Sequence, residues 1–260
     1  MNVWQGIVLG LVQGLTEFLP VSSSGHLALT EALLGVKTPG VFVEVSLHVA
    51  TLGSVLIVYG ARAWEIARGI LRRSDDAVRH AGLLIVATIP AGIVGKVFHE
   101  RIEATFKSLL FVGVAFIVTG IVLWSTRRLT GDRPLPSWRA ALGIGLAQSV
   151  AVLPGISRSG STVSAALWAK LSPVAAAEFS FLLAIPVIAG AALLEGRHAA
   201  IDLAAVGVAP YAVSLLVALV SGVFAIRFLV ALLKRGRFSA FAPYCWLMGA
   251  FTIAYSLWRA

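Results

Sequence analysis

The chain carries its hydrophobic residues in runs long enough to cross a bilayer, and this limits what it can fold into more than any other feature. A helix needs about 20 mainly apolar residues to span the hydrocarbon core. Val41–Ala61, Ala81–Gly95, Ser108–Trp124, Val174–Leu194, Leu203–Leu233 and Phe241–Trp258 reach or approach that length. Ala81–Gly95 is short and contains Pro90, so its ends are expected to extend into the neighbouring loops. The 260 residues are 58% hydrophobic and only 13% charged. Soluble domains run at roughly 45–50% apolar and about 25% charged, so the usual polar surface is missing. A soluble enzyme, a disordered chain and a disulfide scaffold are excluded, the last also by a single cysteine, Cys245. The class that remains is an all-α, polytopic integral membrane protein.

The net charge of +9 does not point to nucleic acid, because the basic residues gather in short gaps between apolar runs instead of forming a stripe. Arg62, Arg68, Arg72, Arg73 and Arg79 follow the first span, Arg127, Arg128, Arg133 and Arg139 the third, and Arg227, Lys234, Arg235 and Arg237 flank the last gap. The positive-inside rule makes these regions cytoplasmic, with Lys170. Lys37, Lys96, Arg101, Lys107, Arg197 and Arg259 fall on the other side. Arg158 is left inside the membrane. His80, His99 and His198 fall in predicted loops and are expected to be solvated. Trp64, Trp124, Trp138 and Trp258 suit an interfacial belt, and the first basic residue is Lys37, so no cleavable leader is expected.

Two further apolar stretches are broken. Val3–Leu34 is interrupted at residues 20–26 (PVSSSGH), and Trp138–Ala169 at residues 154–162 (PGISRSGST). Their arms are too short to span, so each is expected to be a re-entrant hairpin. The basic-loop assignment closes only on that basis. Each half, 1–125 and 138–260, is then one hairpin (3–34, 138–169) plus three spans. Three is odd, so the halves have opposite topology, and both termini lie outside. A shift of 135 residues independently aligns Gly10, Leu11, Gln13, Ser22, Ser24 and Gly25 with Gly145, Leu146, Gln148, Ser157, Ser159 and Gly160. The expected architecture is one integrated membrane domain of six transmembrane helices and two re-entrant hairpins in an inverted repeat, with the polar loops meeting near the midplane.

Each loop starts a new helix, whose free N–H groups and dipole favour anions. Ser22, Ser24, Gly25, Ser157, Ser159, Gly160, Ser161 and Thr162 are candidate diphosphate-binding positions, and the Arg158 guanidinium forks onto phosphate oxygens. Gln13 and Glu17, four apart, share a helix face. They could hold a hard divalent cation, Mg²⁺ or Ca²⁺, which prefers oxygen ligands. Serines close to a histidine (Ser22, Ser23 and Ser24 before His26), an arginine and a carboxylate (Glu17) are phosphoryl-transfer equipment. Gln148 and Glu178 are read as structural.

These residues carry a resemblance. Gln13 followed by Glu17-Phe18-Leu19-Pro20-Val21-Ser22-Ser23-Ser24-Gly25-His26, and residues 154–162, resemble the two signatures of the bacterial undecaprenyl-diphosphate phosphatases, the bacitracin-resistance family. The resemblance implies an enzyme that removes the terminal phosphate from C55 polyprenyl diphosphate at the outer side of the bacterial inner membrane. That reaction recycles the lipid carrier for peptidoglycan synthesis and confers bacitracin resistance. It implies Ser23 as nucleophile, His26 as base or acid and Arg158 as the diphosphate clamp. Gln13 and Glu17 would serve a metal or position His26, while Glu44 and His48 would line the site. The expected partners are the lipid substrate, the bilayer and a second copy in a homodimer, with no nucleic acid. A secondary transporter or flippase of an anionic lipid is the alternative, since inverted repeats with broken helices are carrier architecture. A non-catalytic anion-binding scaffold is the third reading.

Overall fold

The computed structural model describes residues 1–35, 42–195 and 207–259. Expectations for Lys37, Arg197 and His198, and the span starts at Val41 and Leu203, lie outside them. The described residues form helices and no strand, apart from one isolated bridge between Arg133 and Leu171. In chain order the helices are α1 (Val3–Phe18), α2 (Ser23–Leu34), α3 (Phe42–Leu71), α4 (Asp75–Val97), α5 (His99–Phe106), α6 (Leu109–Ser125), α7 (Trp138–Val150), α8 (Arg158–Trp168), α9 (Pro173–Glu195), α10 (Val208–Lys234) and, after a 3₁₀ turn at Phe238–Phe241, α11 (Ala242–Arg259).

Among the described residues, five segments are long and apolar enough to cross a membrane: α3, α4, α9, α10 and the segment that ends in α11. The remaining expected span is α6, whose 17 residues reach about 26 Å at 1.5 Å each. The protein is therefore a multi-pass, all-α membrane protein. The broken stretches are also helical pairs: α1 with α2, and α7 with α8. At 11 to 16 residues these arms are shorter than a span.

Three sequence expectations change. The first basic gap is largely helix: α3 continues ten residues past Ala61, through Arg62 and Arg68 to Leu71. Arg62 is tied to Glu65 at 2.6 Å and to Glu178 of α9 at 2.9 Å, which keeps the helix paired beyond its apolar run. His80 is not solvated. Ser74, Asp75 and Asp76 start α4 early, acidic groups being favourable in a first turn. His80 is thereby buried at 3% exposure, stacked on Phe179. Finally, residues 99–106 are helix and not loop. Their apolar residues Ile102 and Phe106 recur four apart among charged ones, an amphipathic pattern. This helix meets α6 at a bend of 98°.

Packing crosses between the halves reciprocally. Helix α1 of the first half lies along α10 of the second, and α7 of the second lies along α4 of the first. Gly10 rests on the Ser214 backbone, and its repeat mate Gly145 rests on the Ala87 backbone; neither has room for a Cβ. Small residues let membrane helices approach this closely, where dispersion and backbone contacts hold them. Helices α3 and α9, and α6 and α11, also pair across the halves. Phe18 and Phe181 meet edge-on at 5.5 Å in the main core, immediately beside the polar site.

Candidate active site

The two hairpin turns sit back to back. Helix α1 ends at Phe18, and Ser22 caps α2 with its Oγ, which accepts the Gly25 N–H at 3.4 Å. In the other half Ser157 caps α8 by accepting the Gly160 N–H at 3.0 Å. The residues equated by the 135-residue shift therefore perform the same capping. The Ser159 hydroxyl donates to the Leu19 carbonyl at 3.1 Å and joins the turns. A Cβ on Gly25 would come 2.9 Å from the Gly155 backbone and 2.7 Å from the Phe116 ring. Gly155 has φ +91°, a conformation that favours glycine. Ser22 has φ 68° and ψ 100°. A non-glycine residue held there costs about 1–3 kcal/mol, which the surrounding contacts must offset.

Glu17 is the hub. Its side chain is 4% exposed, and each carboxylate oxygen is engaged. Arg158 Nη2 is 2.5 Å from Oε1. On Oε2, the Ser23 hydroxyl donates at 2.6 Å, Gln13 Nε2 donates at 3.1 Å, and His48 Nε2 lies at 3.2 Å. Both ring nitrogens of His48 face acceptors, since Nδ1 is 2.8 Å from the Glu44 carbonyl; this is the bonding of a doubly protonated imidazole. Arg158 also donates from Nη1 to the Ser180 carbonyl at 3.4 Å. A guanidinium has five N–H donors, so part of the fork stays free for a ligand.

A cavity of about 360 Å³ lies against this cluster. Glu17, Ser22, Ser23, Ser24, Ser157 and Arg158 form its polar wall, with Glu44 and His48 beside them. The lining from α4, α5 and α9 is largely apolar, with His99 and Glu103 of α5 as its polar members. Of the other candidates, Gln13, Gly25, His26, Ser159, Gly160, Ser161 and Thr162 are buried behind the polar wall. Thr162 donates to the Arg158 carbonyl at 2.8 Å and bonds Ser180 Oγ at 2.6 Å, so it braces the arginine's turn.

His26 is not placed against Ser23. Its Nδ1 lies 2.7 Å from the Ser22 carbonyl, which can only accept, so Nδ1 carries the proton. Its Nε2 lies 2.7 Å from the Tyr244 hydroxyl, which donates to it when the ring is neutral. The rings of His26 and Tyr244 stack, and Phe116 closes the edge at 5.0 Å. The Nδ1–H thus pins the strained Ser22 peptide that aims Ser23. Tyr244 carried no signal in the sequence: it lies 218 residues away on α11 and belongs to neither motif. His99 and Glu103, one turn apart on α5, also reach the cavity wall, although the sequence placed His99 in a solvated loop.

A divalent cation does not fit the Gln13–Glu17 pair as it stands. Gln13 presents its N–H to the carboxylate, and its Oε1 has no hydrogen-bond partner and is buried. The carboxylate already carries Arg158, Ser23 and His48. Among the described residues, no group of three or more His, Cys, Asp or Glu is arranged to hold a metal ion.

The family model described as "Bacitracin resistance protein BacA" matches residues 6–251 of the chain. Proteins named undecaprenyl-diphosphatase are similar over nearly their whole length. One from Desulfosudis oleivorans is 44% identical, with 97% of this chain and 98% of the relative aligned. One from Desulfatibacillum aliphaticivorans is 41% identical over 96% and 97%. A third, from Alkaliphilus metalliredigens, is 40% identical over 99% and 100%.

Proposed function

The chain belongs to the BacA family of bacitracin resistance proteins, and from that premise we propose that it is an undecaprenyl-diphosphatase whose nucleophile is Ser23. The observation that carries the mechanism is the 2.6 Å hydrogen bond from the Ser23 hydroxyl to Glu17 Oε2, on the wall of a cavity whose lining is polar there and largely apolar elsewhere. Diphosphate enters the polar side. There it competes with Glu17 for Arg158 and meets the first N–H groups of α2 and α8. Ser23 Oγ attacks the terminal phosphorus and a Ser–O–P bond forms. The bond to the bridging oxygen breaks, and undecaprenyl phosphate leaves. The Ser23 proton passes to Glu17, the nearest acceptor. Glu17 hands that proton on to the departing phosphate. Water then attacks the phosphoserine, one of its protons restoring the Ser23 hydroxyl and the other leaving on inorganic phosphate. Arg158 stabilises charge on the transferring group in both steps. His26 acts as a positioning residue through the Ser22 carbonyl. A divalent cation, where required, accompanies the diphosphate as its counter-ion, and no step here runs through it.

The reading of the halves as an inverted repeat is supported by the reciprocal packing of α1 on α10 and α7 on α4. That both termini lie outside is read from the distribution of basic residues; the inner membrane and a site open to the outside are carried over from the family resemblance. A membrane-impermeant thiol reagent should label a cysteine at position 37 from outside and spare one at position 132; the reverse pattern overturns this orientation. A transporter shares the helix exchange, but a carrier has no use for a hydroxyl held on a carboxylate.

The test is phosphate release from farnesyl and undecaprenyl diphosphate by purified protein. Ser23→Ala is expected to lose at least about a hundredfold in rate, by removal of the nucleophile. Release at the wild-type rate from Ser23→Ala refutes the serine mechanism. No release from wild type with Mg²⁺ or Ca²⁺ present refutes the diphosphatase reading.

A further inference from the structure

The cavity has two chemistries, and only one of them is used by the reaction above. Besides Glu17 and Arg158, and besides His99 and Glu103 of α5, the lining includes an apolar set: Ala91 and Gly95 of α4, Ile102 and Phe106 of α5, and Val187 and Ala191 of α9. Each pair is four residues apart, so each occupies one face of its helix. Two faces of small residues leave a slot, and at Gly95 the slot is open: a Cβ there would meet no heavy atom within 4 Å. The slot reaches the surface: Gly95 is half-buried and Ala191 is exposed, although both line the cavity. Open space therefore joins the phosphate-binding wall to the exterior beside these two small residues. A cavity of about 360 Å³ is at the lower end of small-ligand pockets, which run roughly 300–1,000 Å³. It can take the diphosphate and the first isoprene units of a long chain but not the whole chain, so the rest must leave through a wall.

We propose that the gap between α4 and α9 is the exit for the prenyl tail, and that Gly95 is a specificity-determining residue whose missing side chain lets a methyl-branched chain pass. The proposal rests on the diphosphatase reading above. Filling the slot removes tail contacts that are equal in ground and transition states, so it raises KM and leaves kcat in place.

The experiment is steady-state hydrolysis of farnesyl diphosphate by Gly95→Ala, Gly95→Leu and Gly92→Leu. Gly92 is on the same helix, is exposed, also has open space around it and is not on the cavity wall. Leucine is a better helix former than glycine, so neither leucine variant weakens α4 by propensity. Gly95→Leu is expected to raise KM at least tenfold with kcat within threefold, Gly95→Ala to fall between it and wild type, and Gly92→Leu to match wild type. An unchanged KM in Gly95→Leu, a loss confined to kcat, or the same KM rise in Gly92→Leu overturns the slot. Absence of hydrolysis by wild type overturns the diphosphatase reading first, and the slot with it.

Discussion

Glu17→Gln separates the two jobs that Glu17 performs, because the variant keeps the shape of the side chain and removes its charge. Arg158 Nη2 loses its 2.5 Å carboxylate partner, and the Ser23 hydroxyl loses its proton acceptor. The groups involved are well buried, with side-chain exposures of 4% for Glu17 and 14% for Arg158. Breaking a buried ion pair by removing one partner costs about 3–5 kcal/mol. Arg158 keeps the Ser180 carbonyl and can donate to the amide oxygen of the new glutamine, so the lower end, about 3 kcal/mol, is expected. Loss of a general base costs roughly 10²–10⁴ in rate, or about 3–5 kcal/mol of barrier at 1.36 kcal/mol per tenfold. Substrate binding moves the other way. With the competing carboxylate gone, Arg158 is more available to the diphosphate, so KM for farnesyl diphosphate should stay level or fall. The assay is initial-rate phosphate release over a substrate series in detergent, with a thermal melt of each variant to separate folding from chemistry. Arg158→Lys, which keeps charge but loses the planar fork, should raise KM. If Glu17→Gln retains kcat within threefold of wild type, Glu17 is not the acceptor of the Ser23 proton. If its KM rises as in Arg158→Lys, the competition between Glu17 and phosphate for Arg158 is wrong.

Gly25→Ala places a methyl group against the Gly155 backbone and the Phe116 ring; overpacking of this kind costs typically 1–3 kcal/mol. A lower melting temperature and at least a tenfold loss of activity should follow, and wild-type values for both would show that the turns can separate freely. Tyr244→Phe removes the hydroxyl on His26 Nε2 but leaves the Nδ1 contact to Ser22. Activity should therefore stay within about tenfold of wild type, as the net worth of one neutral hydrogen bond is about 0.5–1.5 kcal/mol and about 1.36 kcal/mol is tenfold, whereas His26→Ala should lose far more. A loss in Tyr244→Phe equal to that in His26→Ala would place the chemistry on Nε2 instead. For Gln13→Leu, the Mg²⁺ concentration giving half-maximal activity should remain within threefold of wild type; a larger rise would make Gln13 a metal ligand.

Much of the fold was legible because the bilayer imposes a length on every span. The apolar runs of α4, α6, α9 and α11 were located to within a few residues, apart from the early start of α4 at Asp75. What escaped was set by tertiary contacts. Helix α3 extends past its apolar run while Arg62 holds Glu178 and Glu65. Helix α5 is too short to register as a span, and only its place over the cavity makes its amphipathic face meaningful. Motif spacing drew attention to Ser23 and His26 as a pair, since they are three apart, and that spacing does bring residues to one side of a helix. It carries no information about which acceptor each ring nitrogen finds.

By itself the sequence determined that this chain spans a membrane, that two polar turns break its hydrophobic stretches, and that Arg158 is the basic residue within the second of them. Composition and periodicity suffice for those statements, because hydrocarbon tolerates neither free backbone nor unpaired charge. Only the tertiary structure decided how the groups are paired. Glu17 meets Arg158 from 141 residues away and holds Ser23 and His48 on its other oxygen, while His26 turns away to Tyr244. The cause is the close packing of the two turns at Gly25 and Gly155 and the crossing of each hairpin onto the other half. Those contacts join residues remote in sequence, where no local pattern can specify which partner each side chain takes.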